Sequence, residues 1–261
     1  MADQRRLIFE IQNLKKTINN EQVINIGKLA FHPGTIYGVI GSAGSGKTKL
    51  MELLAGEIAE DSGTLKFDGE SYQKNWLGRV KPHPEIYYSH SSSHLNGNKT
   101  ANQIVLSLYK KKENIIYKRY FSSGQTKKLW NRTLNHYSPG EIDWFSLVLA
   151  IESDPRVLLI DDYGIRMEKT QEEDFRSQIS RMNRNLGTTI ILTSSSDRHL
   201  SQFASVLVHI DNGHISKIRP GVRSNYKKNK RTNNRPKAKS KQRQNNQGNR
   251  RPNKQIGRAH V

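Results

Sequence analysis

A chain of 261 residues can form one α/β domain or two small ones, and its 34% hydrophobic content is low enough that part of it is expected to lie outside any packed core. The absence of cysteine excludes a disulfide framework and thiolate metal sites. No run approaches the about 18 apolar residues of a membrane-spanning helix, and the first residues, MADQRRLIFEIQNLKK, lack the apolar core of a secretory signal. The net charge is +20, and the segment Ser216–Val261 carries 16 Lys/Arg with no Asp/Glu, against 27 basic and 23 acidic residues before it.

In chain order, Arg6–Leu14 alternates as a half-buried strand does, and Gln22–Phe31 follows as a second. His32-Pro-Gly34 is a turn signal. Thr35–Ile40 reads as a short buried strand that runs into GSAGSGKT and then into KLMELLAGEIA, which has helical periodicity. Gly63–Gly69 reads as a strand and turn. Tyr72–Lys128, with its polar loop SHSSSHLNGNK and a helix expected over Thr100–Lys111, is read as helix-rich, and a small helical insertion is expected at about 90–140 within a domain spanning 1–218. Glu141–Glu152 is expected to be helical with Trp144, Leu147, Val148 and Ile151 on one face, Arg156–Ile160 a buried strand, Glu172–Leu186 a helix stopped by Gly187, and Thr188–Thr193 another buried strand. Val206–Ile210 and His214–Ile218 form a hairpin around Asp211-Asn-Gly213. The alternation of strands and helices implies an α/β fold with a mainly parallel sheet and an antiparallel β edge.

Gly41-Ser42-Ala43-Gly44-Ser45-Gly46-Lys47-Thr48 matches G-x-x-x-x-G-K-T, with the strand before and the helix after that such a phosphate loop requires. The glycines let backbone N–H groups curl round a phosphate, and the helix N-terminus adds a favourable dipole. Lys47 can reach the β- and γ-phosphates of ATP, and the Thr48 hydroxyl can ligate Mg²⁺. The apolar strand VLLI followed by Asp161 supplies the acidic metal partner that such a loop needs. His90 and His94 sit in a serine-rich stretch and read as solvated loop residues, not as a metal pair.

The chain then resembles the nucleotide-binding domain of ATP-binding-cassette (ABC) proteins over about residues 1–218. The resemblance rests on the phosphate loop at 41–48, on Ser138-Pro-Gly140 at the start of a helix 23 residues before Asp161, on Asp154-Pro155, on Gly187–Leu192 and on Asp211-Asn-Gly213-His-Ile215. It makes Tyr137-Ser-Pro-Gly-Glu141 the counterpart of the family's signature, usually LSGGQ, with Ser138 and Gly140 as the retained phosphate contacts. It implies ATP and Mg²⁺ as cofactors, a head-to-tail homodimer or heterodimer in which each signature faces the partner's phosphate loop, membrane-spanning transporter subunits as partners, and a cytoplasmic location at the inner face of the cell membrane.

Departures from the family pattern imply weakened catalysis. Pro139 replaces a glycine and removes an N–H. Glu141 replaces glutamine and brings a carboxylate towards the expected γ-phosphate. Asp162 stands where the family has its catalytic glutamate, Ser195 where it has its switch histidine, and Ser91 where it has the glutamine that helps hold Mg²⁺. Ile18 lies where an aromatic stacks on adenine, and Tyr163–Glu168 lacks the family's proline and small residues. Two functions are open on these residues: the ATP-binding subunit of an ABC transporter, hydrolysing ATP slowly or not at all, or a soluble ABC-type regulatory protein whose basic tail binds nucleic acid or ribosomes.

That tail, 219–255, is rich in Asn, Gln, Lys, Arg and Pro, has Tyr226 as its one aromatic residue, and is expected to be disordered. Its charge suits an arm for nucleic acid or anionic lipid, and equally a solubilising extension. The last six residues, 256–261, back-translate as ATC GGA AGA GCA CAC GTC, the start of a sequencing-adapter oligonucleotide, and are expected to be read-through of it. The same codons followed by a natural stop in genomic DNA would refute that.

Overall fold

The computed structural model describes residues 6–89, 95–165, 167, 169–198 and 200–221. Two sheets are present. Strands β1 (Phe9–Ile18), β2 (Glu21–Phe31), β4 (Ser62–Phe67) and β5 (Glu70–Ser71) form an antiparallel sheet in the order β2-β1-β4-β5. Asn19 and Asn20, both with positive φ, make the tight β1–β2 turn; asparagine is among the few non-glycine residues that tolerate this conformation.

The second sheet runs β10-β9-β3-β8-β7-β6, formed by β3 (Ile36–Ile40), β6 (Ile86–Ser89), β7 (Val157–Ile160), β8 (Thr189–Ser194), β9 (Val206–Asp211) and β10 (His214–Pro220). All neighbours are parallel except the β9–β10 edge. Strands β3, β7 and β8 are buried at every position. The reason is that both faces are covered, which is why these strands read as continuous apolar runs without alternation.

One face, with Ile36, Ile40, Leu158, Ile160, Ile190 and Leu192, packs against helices α4 (Pro139–Glu152) and α5 (Lys169–Leu186) and the helical insertion. The other, with Tyr37, Val39, Val157, Leu159 and Ile191, packs against helix α1 (Lys47–Ala55) and the antiparallel sheet. The insertion contains α2 (Ala101–Tyr109), capped by Thr100, and α3 (Glu113–Ile116), which continues as a π-turn over Tyr117–Phe121. It is pinned to α4 by an aromatic cluster in which Phe121 meets Trp130 at 4.8 Å and Trp144 at 5.1 Å between ring centres.

The expected helix-rich character of Tyr72–Lys128 holds only from residue 101 onwards. Residues 72–81 form a short hairpin closed by a Lys74–Val80 bridge, and Ile86–Ser89 is the parallel edge strand β6. Four half-buried residues between proline-containing and serine-rich segments carry too little periodicity to announce a strand; pairing with β7 makes it one. Helix α4 begins at Pro139 and α5 at Lys169, two and three residues earlier than their apolar patterns suggest. Strand β10 reaches Pro220, so the described chain extends past 218 into the segment read as tail; residues 222–255 and the six beyond lie outside the described residues.

Candidate functional site: a phosphate loop and two carboxylates

The loop between β3 and α1 requires glycine for steric reasons. A Cβ on Gly41 would collide with the Ile210 carbonyl oxygen and Ser45 Oγ, and one on Gly46 would stand 2.7 Å from the Val23 carbonyl oxygen. Gly44 and Gly46 have φ of 78° and 100°, a region that glycine enters freely. The β9–β10 turn braces the loop from behind: Gly213 N donates to Ser45 O at 3.0 Å, and Asn25 N donates to Gly213 O at 2.9 Å. On the β8 side, Gly41 N donates to Ser194 O at 3.3 Å.

Lys47 is buried, and its ammonium lies inside the curl of the loop, donating to Gly41 O at 2.9 Å and Ser42 O at 2.8 Å. Ser45 Oγ is buried with no hydrogen-bond partner. Buried hydroxyls are ordinarily satisfied, so an orphan in this position marks a place built for a further polar group. Ser42, Ala43, Gly44 and Thr48 form the open rim.

A cleft of about 240 Å³ adjoins this rim. It brings together Thr48 at the start of α1, Tyr88 and Ser89 at the end of β6, Asp161 and Asp162 just after β7, and Asp143 and Ser146 on α4. Asp161 and Asp162 are both tied to Thr193 of β8. The Thr193 hydroxyl donates to Asp161 Oδ1 and accepts from Asp162 N at 2.8 Å, while Thr193 O accepts from Tyr163 N at 2.9 Å. Asp161 N in turn donates to Ser89 O at 3.2 Å. Asp162 has φ of 52°, the left-handed region. The Tyr88 phenol is pushed well above its ordinary range, first by burial and then by the carboxylates of Asp161, Glu52 and Glu57, so it stays protonated beside them.

The expected site residues thus divide. Thr48, Asp161 and Asp162 line one cleft, and Gly41 to Lys47 form the loop that leads into it. Ser195 is exposed, one residue past the end of β8, and is not among the residues lining the cleft. Ser91 lies outside the described residues; from that strand it is Ser89 that reaches the cleft. His90 and His94 also lie outside them, and among the described residues no group of three or more His, Asp or Glu side chains is placed to hold a metal by itself. Ser138 and Gly140 are not part of the cleft of their own chain.

YSPGE proves to be a reciprocal helix cap. Ser138 Oγ accepts from Glu141 N at 3.2 Å, Glu141 Oε2 accepts from Ser138 N at 2.7 Å, and Pro139 occupies the first helical position, where its missing N–H costs nothing. The Glu141 carboxylate therefore folds back on its own helix terminus, with its other oxygen 3.8 Å from Arg132. The spacing S-x-x-E is itself a capping signal and was readable in the sequence. Thr193 had no such signal: its role arises from contacts across two strands.

Comparison with known proteins places this geometry. The family model described as "ABC transporter" matches residues 24–163, just over half of the chain. The spermidine/putrescine import ATP-binding protein PotA of Bacillus anthracis is 24% identical over 218 residues, covering 81% of this chain. The chain spans 65% of that relative's length. The bacitracin transport ATP-binding protein BcrA of Enterococcus faecalis is 25% identical over 214 residues, 80% of this chain and 68% of the relative. Among solved structures, an ATP-binding subunit of an ABC transporter superposes with a TM-score of 0.66 at 15% identity, covering 85% of this chain and 93% of that one. A dimeric bacterial ABC transporter cassette superposes with a TM-score of 0.68 at 13% identity, covering 81% and 98%. The structures establish the fold, and the family match spans the loop, β6, the start of α4 and both carboxylates: the chain belongs to the ABC transporter family.

Proposed function

We propose that the chain is the ATP-binding component of an ABC transporter, binding Mg-ATP in the cleft beside the phosphate loop and hydrolysing it slowly or not at all. The observation that carries the reading is the buried Lys47 ammonium, held inside a glycine-built curl with the orphaned Ser45 hydroxyl, next to Thr48 and Asp161. The loop amides and Lys47 would hold the phosphates, and Thr48 and Asp161 the Mg²⁺. When bound, the nucleotide supplies a phosphoanhydride whose occupancy or cleavage can be coupled to movement of a partner.

Asp162 is the side chain placed to orient a water or take its proton. It is a methylene shorter than the glutamate the family carries, and its backbone is fixed by Thr193 and a left-handed φ. A base held back from its target loses rate steeply. Ser195 offers no imidazole, and Ser138 and Glu141 are engaged with each other. Because Ser138 and Gly140 stand outside their own chain's cleft, any phosphate contact from them would come from a second cassette docked head to tail. Separate membrane-spanning subunits as partners, met at the cytoplasmic face, are part of this proposal and rest on the chain's membership of the ABC transporter family; among the described residues no helix is long and apolar enough to cross a membrane. The relatives, named as import and transport ATP-binding proteins, support the transport role.

Binding and turnover measured on one purified sample test this reading. Mg-ATP is expected to bind, with turnover well below about 1 per second, the low end of ordinary enzymes, and Asp162→Asn is expected to remove what turnover there is. Ordinary ATPase rates would overturn the slow-turnover reading, and failure to bind Mg-ATP would overturn the whole.

A further inference from the structure

The hairpin that follows β5 presents apolar side chains on a hydrogen-bonded tip. Trp76 is 91% exposed and Leu77 57% exposed, and every residue from Gln73 to Arg79 is exposed. This is an ordered turn. Asn75 Oδ1 accepts from Leu77 N at 3.0 Å and from Arg79 N at 2.9 Å; Gly78 N donates to Asn75 O, and Asn75 N to Arg79 O, both at 2.9 Å; Lys81 N donates to Gln73 O at 3.0 Å. Gly78 takes the positive φ that the turn needs. The base is anchored on the end of α1, where the Tyr72 hydroxyl donates to Leu54 O. Exposing a tryptophan on a preorganised tip costs the free protein apolar hydration and serves nothing in its own fold, whereas a partner would gain a wedge that needs no further ordering.

We infer that this hairpin is a wedge for an anionic lipid surface, with Trp76 and Leu77 entering the headgroup region and basic residues meeting lipid phosphates. Three observations choose lipid. Arg79 and Lys81 flank the tip and residues 72–83 contain no Asp or Glu, which complements an anionic surface, while Lys74 beside them is paired with Glu60 at 2.8 Å. The apolar area is two side chains on a convex point, far short of the roughly 800 Å² per partner of a stable protein interface but sufficient for an interfacial anchor. Indole and leucine beside cationic residues suit the boundary between hydrocarbon and water. Nucleic acid would use a stack of aromatic rings, and here Tyr72 is turned to Leu54 and His83 rests on Phe67 at 4.6 Å, leaving Trp76 alone.

The chain reports on itself, because it has three tryptophans and Trp130 and Trp144 are each only 7% exposed. The full chain is mixed with phosphatidylcholine vesicles, with and without phosphatidylglycerol. With phosphatidylglycerol, tryptophan emission is expected to move to shorter wavelength and to be quenched by brominated acyl chains, and without it both responses are expected to weaken. Trp76→Ala/Leu77→Ser is expected to lower the vesicle partition constant about tenfold or more, the loss expected from keeping both side chains out of an apolar phase, and to abolish the spectral shift. An unchanged partition constant in that variant would show that another basic segment does the binding and would overturn the inference. So would a spectral response to single-stranded RNA with none to vesicles.

Discussion

Lys47→Ala is expected to lower ATP affinity by about 100-fold while leaving the fold intact. A charge-assisted hydrogen bond to phosphate is worth roughly 1.5–3 kcal/mol, and the ammonium is the one cation inside the curl of the loop among the described residues. Its removal also frees the Gly41 and Ser42 carbonyl oxygens, so the loop loses two internal tethers as well as its charge. The brace from Gly213 to Ser45 and the glycine geometry remain, and the thermal midpoint should move little. Titration with a fluorescent ATP analogue reads the affinity and a melting curve the fold. Unchanged affinity in a folded variant would place the nucleotide elsewhere.

Thr193→Val should separate metal binding from nucleotide binding. Valine matches threonine in shape, so the fully buried site stays filled. What is lost is the hydroxyl that holds the Asp161 carboxylate and satisfies the Asp162 N–H. Outer-shell partners of a metal ligand typically contribute about 10- to 100-fold in metal affinity, so the Mg²⁺ concentration for half-maximal nucleotide binding should rise by that factor. Binding without Mg²⁺ should hardly change, and Thr193→Ser should restore the Mg²⁺ response. The unsatisfied N–H adds a stability loss of about 1–2 kcal/mol. An unchanged Mg²⁺ requirement would reduce Thr193 to a packing residue.

The sequence showed most clearly those parts of the site that are contiguous in it. Gly41–Thr48 is one unbroken motif, and its glycines are required by neighbours, Val23 and Ile210, that the fold then supplies. Asp161 was marked by the apolar strand before it. Residues acting across strands were not legible: Thr193 works by hydrogen bonds to β7's far end, and β6 is strand-like only beside β7. Glu141 shows a different limit. Its charge suggested repulsion of phosphate, whereas its spacing from Ser138 makes it the second half of a helix cap.

The left-handed backbone at Asp162 restricts which side chains this position can carry. Aspartate and asparagine settle in that region by local hydrogen bonding, while most other L-residues are strained there by about 1–2 kcal/mol. Asp162→Glu is therefore expected to lower the thermal midpoint without raising turnover, whereas Asp162→Asn should be neutral for stability. A gain of ATPase activity in the glutamate variant would show that side-chain length alone is limiting. With the expected result, the backbone that carries the carboxylate, and not side-chain length alone, sets the limit at this position.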